Sequence, residues 1–161
     1  MKDIPRGLPI LCVDFDGVIH SYSSGWKGAR SIPDKPVDGA LRFLYEASKF
    51  FEVNIYSSRS RYFGGRWAMK RWLRWHYELL ARKSWETTPK WLQDHIGETA
   101  FADPWDHEVD YSVGLLIKRF KFPLMKPAAF IQIDDRAITF TGTFPNPESL
   151  LSFKPWNKED V

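Results

Sequence analysis

At 161 residues the chain is long enough for one domain with a proper core and too short for two comfortable ones. Its 43% hydrophobic content is ordinary for a globular protein, no run approaches the ~20 apolar residues of a membrane helix, and a formal charge of +3 is too slight to declare a partner. The single cysteine, Cys12, excludes an intramolecular disulfide; it reads as a small core residue and fits a cytoplasmic protein in a reducing cytosol.

Residues 1–8, with Pro5 and Gly7, read as a leader outside the core. The apolar run behind them is short and broken by Asp14, so it is a strand and not a signal peptide. That first strand is predicted over Pro9–Phe15. Residues 17–36 are rich in Gly, Ser and Pro and read as a loop or small flap. Asp38 then opens a helix whose Leu41, Leu44 and Tyr45 share one face. A second strand follows over Phe51–Tyr56. Strand, helix and strand in this length imply a parallel crossover.

The spacing predicts the clearest helix over residues 64–83. Ala68, Trp72, Trp75 and Leu79 fall on one apolar stripe, and Arg66, Lys70 and Arg74 on another face. Residues 59–83 hold eight Lys/Arg against one Glu. Thr87-Thr88-Pro89 opens a further helix that Gly97 ends. Glu98, Asp103, Asp106, Glu108 and Asp110, with Pro104, read as an acidic surface loop. Residues 113–120 suit helix and strand equally. Phe122–Met125 reads as a short strand, Phe130–Ile133 as the final core strand, and Ile138-Thr139-Phe140 as a further one. Pro145, Pro147 and Pro155 make the end of the chain a wrapping tail.

Three strand-like runs therefore end in residues suited to phosphate or metal. Ile10-Leu11-Cys12-Val13 leads into Asp14-Phe15-Asp16-Gly17, and alternation places both carboxylates on the same side. Two like charges that close require a cation between them or a proton on one. Val53-Asn54-Ile55-Tyr56 ends in Ser57-Ser58-Arg59. Lys126-Pro127 precedes the third run, which ends in Asp134-Asp135-Arg136. In an open parallel sheet such ends gather on one edge, where ligands bind.

The ordered set Asp14-Phe15-Asp16-Gly17-Val18, Ser57-Ser58-Arg59, Lys126 and Asp134-Asp135-Arg136 resembles the four motifs of the haloacid dehalogenase-like hydrolases. Within that superfamily it is similar to the phosphatase domain of polynucleotide kinases and to small phage-type phosphatases. The motifs span residues 10 to about 145. The resemblance implies a single α/β domain over residues 1–161: a Rossmann-like three-layer α/β/α sandwich with a mostly parallel central sheet. The domain is expected to carry a small flap over 17–36 and no large cap, with a helical segment and its acidic loop over 60–125.

It also implies a chemistry. Asp14 is expected to be the nucleophile that forms a phospho-aspartate, and Asp16 the general acid/base, with a raised pKa from crowding by Asp14. Lys126 is expected to stabilise charge in the transition state. Ser57, Ser58 and Arg59 form the phosphate-binding set. Mg²⁺ suits the oxygen ligands that Asp14, Asp16, Asp134 and Asp135 offer, Asp16 through its backbone carbonyl. Asp135 is favoured over Asp134 as the direct ligand. His20 lies near enough to contact substrate, though a plain loop histidine is the commoner outcome. His76, His95 and His107 lack zinc spacing.

Outside the resemblance each residue also has an ordinary reading. Ser57 and Ser58 suit turn hydroxyls, Lys126 a surface lysine, and Arg59 an ion pair with Asp134 or Asp135. The expected partner is a phosphorylated substrate, a nucleotide or a nucleic-acid 3′ end, because the 64–83 helix combines cations with stacking rings. Against this, the Trp stripe suits the core and the basic face suits a counterweight to the acidic stretch. A nucleic-acid-binding module without turnover is the alternative from another class. A D-x-D glycosyltransferase is the third, disfavoured by the short chain.

Overall fold

The computed structural model describes residues 7–82, 85–97, 107–139 and 141–158. The expectations for residues 1–6, for Lys83, for Glu98, Asp103, Pro104 and Asp106, and for Phe140 lie outside these residues.

The fold is α/β, with a small parallel sheet and several helices. Strand β1 (Ile10–Asp14) is followed by α1 (Ala40–Ala47) and β2 (Glu52–Tyr56). Helices α2 (Gly65–Ala81), α3 (Lys90–Ile96) and α4 (His107–Ile117) come next, then β3 (Ile131–Ile133). The strand order is β2-β1-β3, all parallel, with Leu11 opposite Val53 and Ile131. Lys121 extends the sheet past β2: its N–H donates to the Val53 carbonyl and its carbonyl accepts from the Ile55 N–H. The chain thus steps outward from β1 to β2 to Lys121. It then crosses back over residues 122–130 to the other edge of β1. This reversal makes the carboxyl end of β1 a topological switch point, where open α/β sheets bind ligands.

The core explains why these elements form. Leu11, Val13, Val53 and Ile55 share one sheet face by their period of two. They join a buried cluster with Leu44 of α1, Met69, Leu73 and Tyr77 of α2, Leu92 of α3 and Leu116 of α4. Each such side chain contributes about 2 kcal/mol of burial. The Tyr77 hydroxyl, buried with them, donates to the Leu41 carbonyl at 2.6 Å and ties α2 to α1. Cys12 and Asn54 point to the other sheet face and stay outside the cluster. All four α-helices feed the one cluster.

Four sequence expectations shift. The α2 stripe is out of phase: Ala68, Met69, Trp72, Leu73, His76 and Tyr77 are buried, while Trp75 and Leu79 are exposed. A histidine joins this face because Trp72 and Trp75 flank its ring, at 4.2 and 4.6 Å between centroids. Burial pushes His76 down to about 4, so it is neutral there. Glu108 and Asp110 lie in the first turn of α4, not in a loop, and suit a helix N-terminus. Residues 113–117 belong to that helix. Phe122–Met125 and Ile138-Thr139 are not strands. Finally, β3 is an edge strand and no core element, with Phe130 just before it 76% exposed.

Among the described residues no helix is long and apolar enough to cross a membrane.

Candidate functional site

The carboxyl ends of β1, β2 and β3 meet at one rim, around a cavity of about 280 Å³. Asp14, Asp16, Tyr22, Ser57, Ser58, Lys126, Asp134 and Arg136 line it, together with Cys12, Tyr56, Gln132 and Ile133. Asp14 is the last residue of β1, and its Oδ1 accepts the Phe15 N–H at 2.8 Å. That bond fixes the direction of the carboxylate. Asp134 directly follows β3, and its Oδ1 accepts the Arg136 N–H at 2.9 Å in a tight turn.

Asp14, Asp134 and Asp135 each present a carboxylate oxygen, and these oxygens lie within 4.8 Å of one another. The Asp135 side chain is 1% exposed, yet neither of its oxygens has a hydrogen-bond partner. Its nearest cation is the Arg136 Nε, 3.9 Å away. Lys126 places its Nζ 3.8 Å from Asp134 Oδ2. Two cations at the long limit of ion pairing thus face three carboxylates. Burial pushes Asp14 up to about 7, reinforced by Asp134 and, less, by Asp135 and Asp16, against the Phe15 N–H. Burial also raises Asp135, despite Arg136. An unpartnered buried carboxylate is expensive. A divalent cation with a preference for oxygen ligands would relieve the cost, and these three residues could hold one.

Asp16 departs from its expected part. Its carboxylate accepts from Arg59 Nε at both oxygens (3.0 and 2.8 Å), from Ser57 Oγ at 3.0 Å and from His20 Nδ1 at 3.0 Å. Burial alone would raise its pKa, but the His20, Arg59 and Ser57 hydrogen bonds with the Arg59 charge hold it below the ordinary range. The direction is opposite to the one expected from crowding, because the hydrogen bonds from His20 and Arg59 and the Arg59 charge outweigh burial. Its side chain is also no member of the acidic group.

Arg59 departs likewise. It is fully buried and does not line the cavity. Its Nη1 donates to the carbonyls of Gly28, Ala29 and Ser31 at 2.6, 3.1 and 3.0 Å. The guanidinium therefore clamps the 17–36 flap onto Asp16, and it pairs with neither Asp134 nor Asp135. Ser57 is buried, with its hydroxyl given to Asp16 while it accepts the Arg59 N–H at 3.2 Å. Ser58 is exposed at the cavity wall and carries the hydroxyl that a phosphate could reach.

His20 is fully buried. Its Nε2 accepts the Asp34 N–H at 3.2 Å, which assigns the ring proton to Nδ1 and so to Asp16. It links the flap to the site and does not reach the cavity. Tyr22 was not singled out from sequence. It lines the cavity with φ +56°, an uncommon backbone for a side chain of this size, and Arg136 lies over its ring at 5.9 Å. Its only sequence signal is its place in the Gly/Ser-rich loop after the D-x-D turn. Cys12 is buried behind the site, and burial raises its thiol.

Two backbone features hold the rim together. Gly17 has φ +90°, and a Cβ there would collide with the Asp135 carboxylate. Its carbonyl accepts the Trp156 Nε1–H at 2.7 Å, while Asn157 Nδ2 donates to the Ser21 carbonyl at 3.2 Å. The tail thereby returns to the first motif. Compared with protein-family models, curated proteins and solved structures, the chain finds no match in any of the three.

Proposed function

We propose that this chain is a Mg²⁺-dependent phosphomonoesterase that works through a phospho-aspartate. The observation that carries the reading is the buried, unpartnered Asp135 carboxylate beside Asp14 and Asp134. These three side chains would hold the ion, which when bound neutralises charge between the carboxylates and a phosphate. The haloacid dehalogenase-like fold, with a flap and no large cap, and a reducing cytosol belong to the same reading.

Asp14 attacks phosphorus, and the ester oxygen leaves with the electron pair of the broken P–O bond. Phe15 N–H, bonded to Oδ1, aims the carboxylate so that Oδ2 is the attacking atom. Lys126 offsets charge growing on the phosphoryl oxygens, and Ser58 donates a hydrogen bond to one of them. Water then cleaves the acyl phosphate, returning Asp14 and inorganic phosphate. Asp16 acts as an anchoring anion here, so the leaving oxygen takes its proton from water.

The test is hydrolysis of p-nitrophenyl phosphate with Mg²⁺ and with EDTA, beside Asp14→Asn. We expect loss with EDTA and a fall of about a thousandfold or more in the variant. Activity that survives either change retires the mechanism. Across a series of aryl phosphates the rate should climb steeply as the leaving phenol becomes more acidic. A flat series returns the proton-donor role to Asp16.

A further inference from the structure

The outer face of α2 carries a pattern that catalysis does not use. Trp67, Arg71 and Trp75 recur every four residues, so they form one stripe on the helix surface. Trp67 is 59% and Trp75 55% exposed. The Arg71 guanidinium lies over the Trp67 ring, 5.1 Å from its centroid. The buried side of the same helix already has Trp72, so the core does not need these rings.

Two grooves meet at this stripe. One, of about 810 Å³, runs along Trp67, Arg71 and Trp75 beside Arg30 and Lys35 of the flap. The other, of about 700 Å³, runs along Arg61, Tyr62, Phe63 and Arg66. Arg30 and Trp67 line both. Phe63 is 95% exposed, a large ring with no core to serve. The second groove shares no lining residue with the cavity, though its Arg61 and Leu124 lie within three residues in sequence of Ser58 and Lys126.

Some cations elsewhere pair with a carboxylate, as Lys49, Arg82, Lys90 and Lys121 do, and others such as Arg42, Lys118 and Arg119 have no such partner among the described residues, so it is exposed rings beside unpaired cations that mark this face. Among the described residues Arg30, Arg61 and Arg71 have no carboxylate partner. The two carboxylates in the larger groove are already engaged: Asp34 by Ser24 and Glu78 by Arg74. Half-exposed indoles alternating with a guanidinium that has no carboxylate partner match an alternation of flat bases and phosphates. An acidic peptide would use the cations and leave the rings idle.

We propose that the outer face of α2, with the turn over residues 61–67, binds single-stranded nucleic acid. This deepens the phosphatase reading by naming a strand end as the substrate class, and only that last step rests on the reading. The surface itself stands on the exposed rings and unpaired charges.

The experiment is fluorescence anisotropy of a labelled 20-nucleotide single strand titrated with the full chain at several salt concentrations. The wild type should bind, with affinity falling linearly in log–log against salt. Trp67→Ala/Trp75→Ala should weaken binding at least tenfold, since base–ring stacking contributes that much per base. Arg61→Ala/Arg71→Ala should weaken binding and flatten the salt slope. Both variants should keep wild-type p-nitrophenyl phosphate hydrolysis, if the chain has it. Binding without hydrolysis keeps the surface and removes the phosphatase. Hydrolysis without strand binding removes the surface and keeps the phosphatase. Equal affinity for polyglutamate, or no loss in the tryptophan variant, overturns the nucleic-acid assignment.

Discussion

The carboxylate cavity and the outer face of α2 both concentrate charge of one sign, but at different depth. Around the cavity, buried Asp135 and largely buried Asp14 lack adequate counter-charge. On the outer face of α2 and the turn before it, Arg71 and Arg61 lack it too, but water surrounds them. A missing partner costs several kcal/mol when the charge is buried and almost nothing when it is solvated. An uncompensated buried cluster is therefore strong evidence that something is meant to bind. An uncompensated exposed one needs the added evidence of rings such as Trp67 and Trp75.

The contrast breaks first at Arg59, the buried charge that does have its partner. Arg59→Ala strands Asp16 and frees three flap carbonyls, so it should cost about 3–5 kcal/mol. Urea unfolding measures this, and a loss under 1 kcal/mol would mean that the clamp is absent in solution.

A middle-sized effect is expected from Asp14. Its folded pKa, about 7, lies above the ordinary aspartate value of 3.8. The folded chain thus favours the protonated acid, and this contribution is complete below about pH 4 and lost as pH rises through 7. Asp14→Asn should stabilise the metal-free protein at pH 8 by about 2 kcal/mol, and by little at pH 4. Thermal melts at the two pH values, with and without Mg²⁺, read it out. Mg²⁺ should stabilise the wild type more at pH 8 than at pH 5. An Asp14→Asn variant that melts no higher than wild type at pH 8 would remove the repulsion from the account.

The smallest effect belongs to α2. Trp67→Ala should change stability by no more than about 0.5 kcal/mol, as for an exposed site outside the core. A loss above 2 kcal/mol would place that ring in the core.

What could be read from the sequence follows from locality. Asp14 at a strand end, Ser57-Ser58 after the second strand and Asp134-Asp135 after the third are set by short-range pattern, and all of them except Asp135 line one cavity. The helix over 64–83 ends within two residues of its expected bounds. Arg59 was misplaced because its partners, Asp16 and the 28–31 carbonyls, are distant in sequence and are chosen by the fold. The raised pKa expected of Asp16 fell with it, since proximity to Asp14 suggests a raised value only while His20 and Arg59 are elsewhere. The α2 phase failed because Trp is large enough to be core or platform, and hydrophobicity alone does not separate Trp72 from Trp75. β3 looked like a core strand because Phe130 and Ile131 are apolar, yet an edge leaves them uncovered.

Gly17 and Asp135 meet with no room for a methyl group between them. Over evolutionary time these two positions cannot drift independently: any side chain acquired at 17 would displace the carboxylate at 135. In a randomised library screened for function, an acid at 135 should therefore survive only alongside glycine at 17, while glycine should persist at 17 whatever stands at 135, because its φ of +90° alone disfavours a side chain.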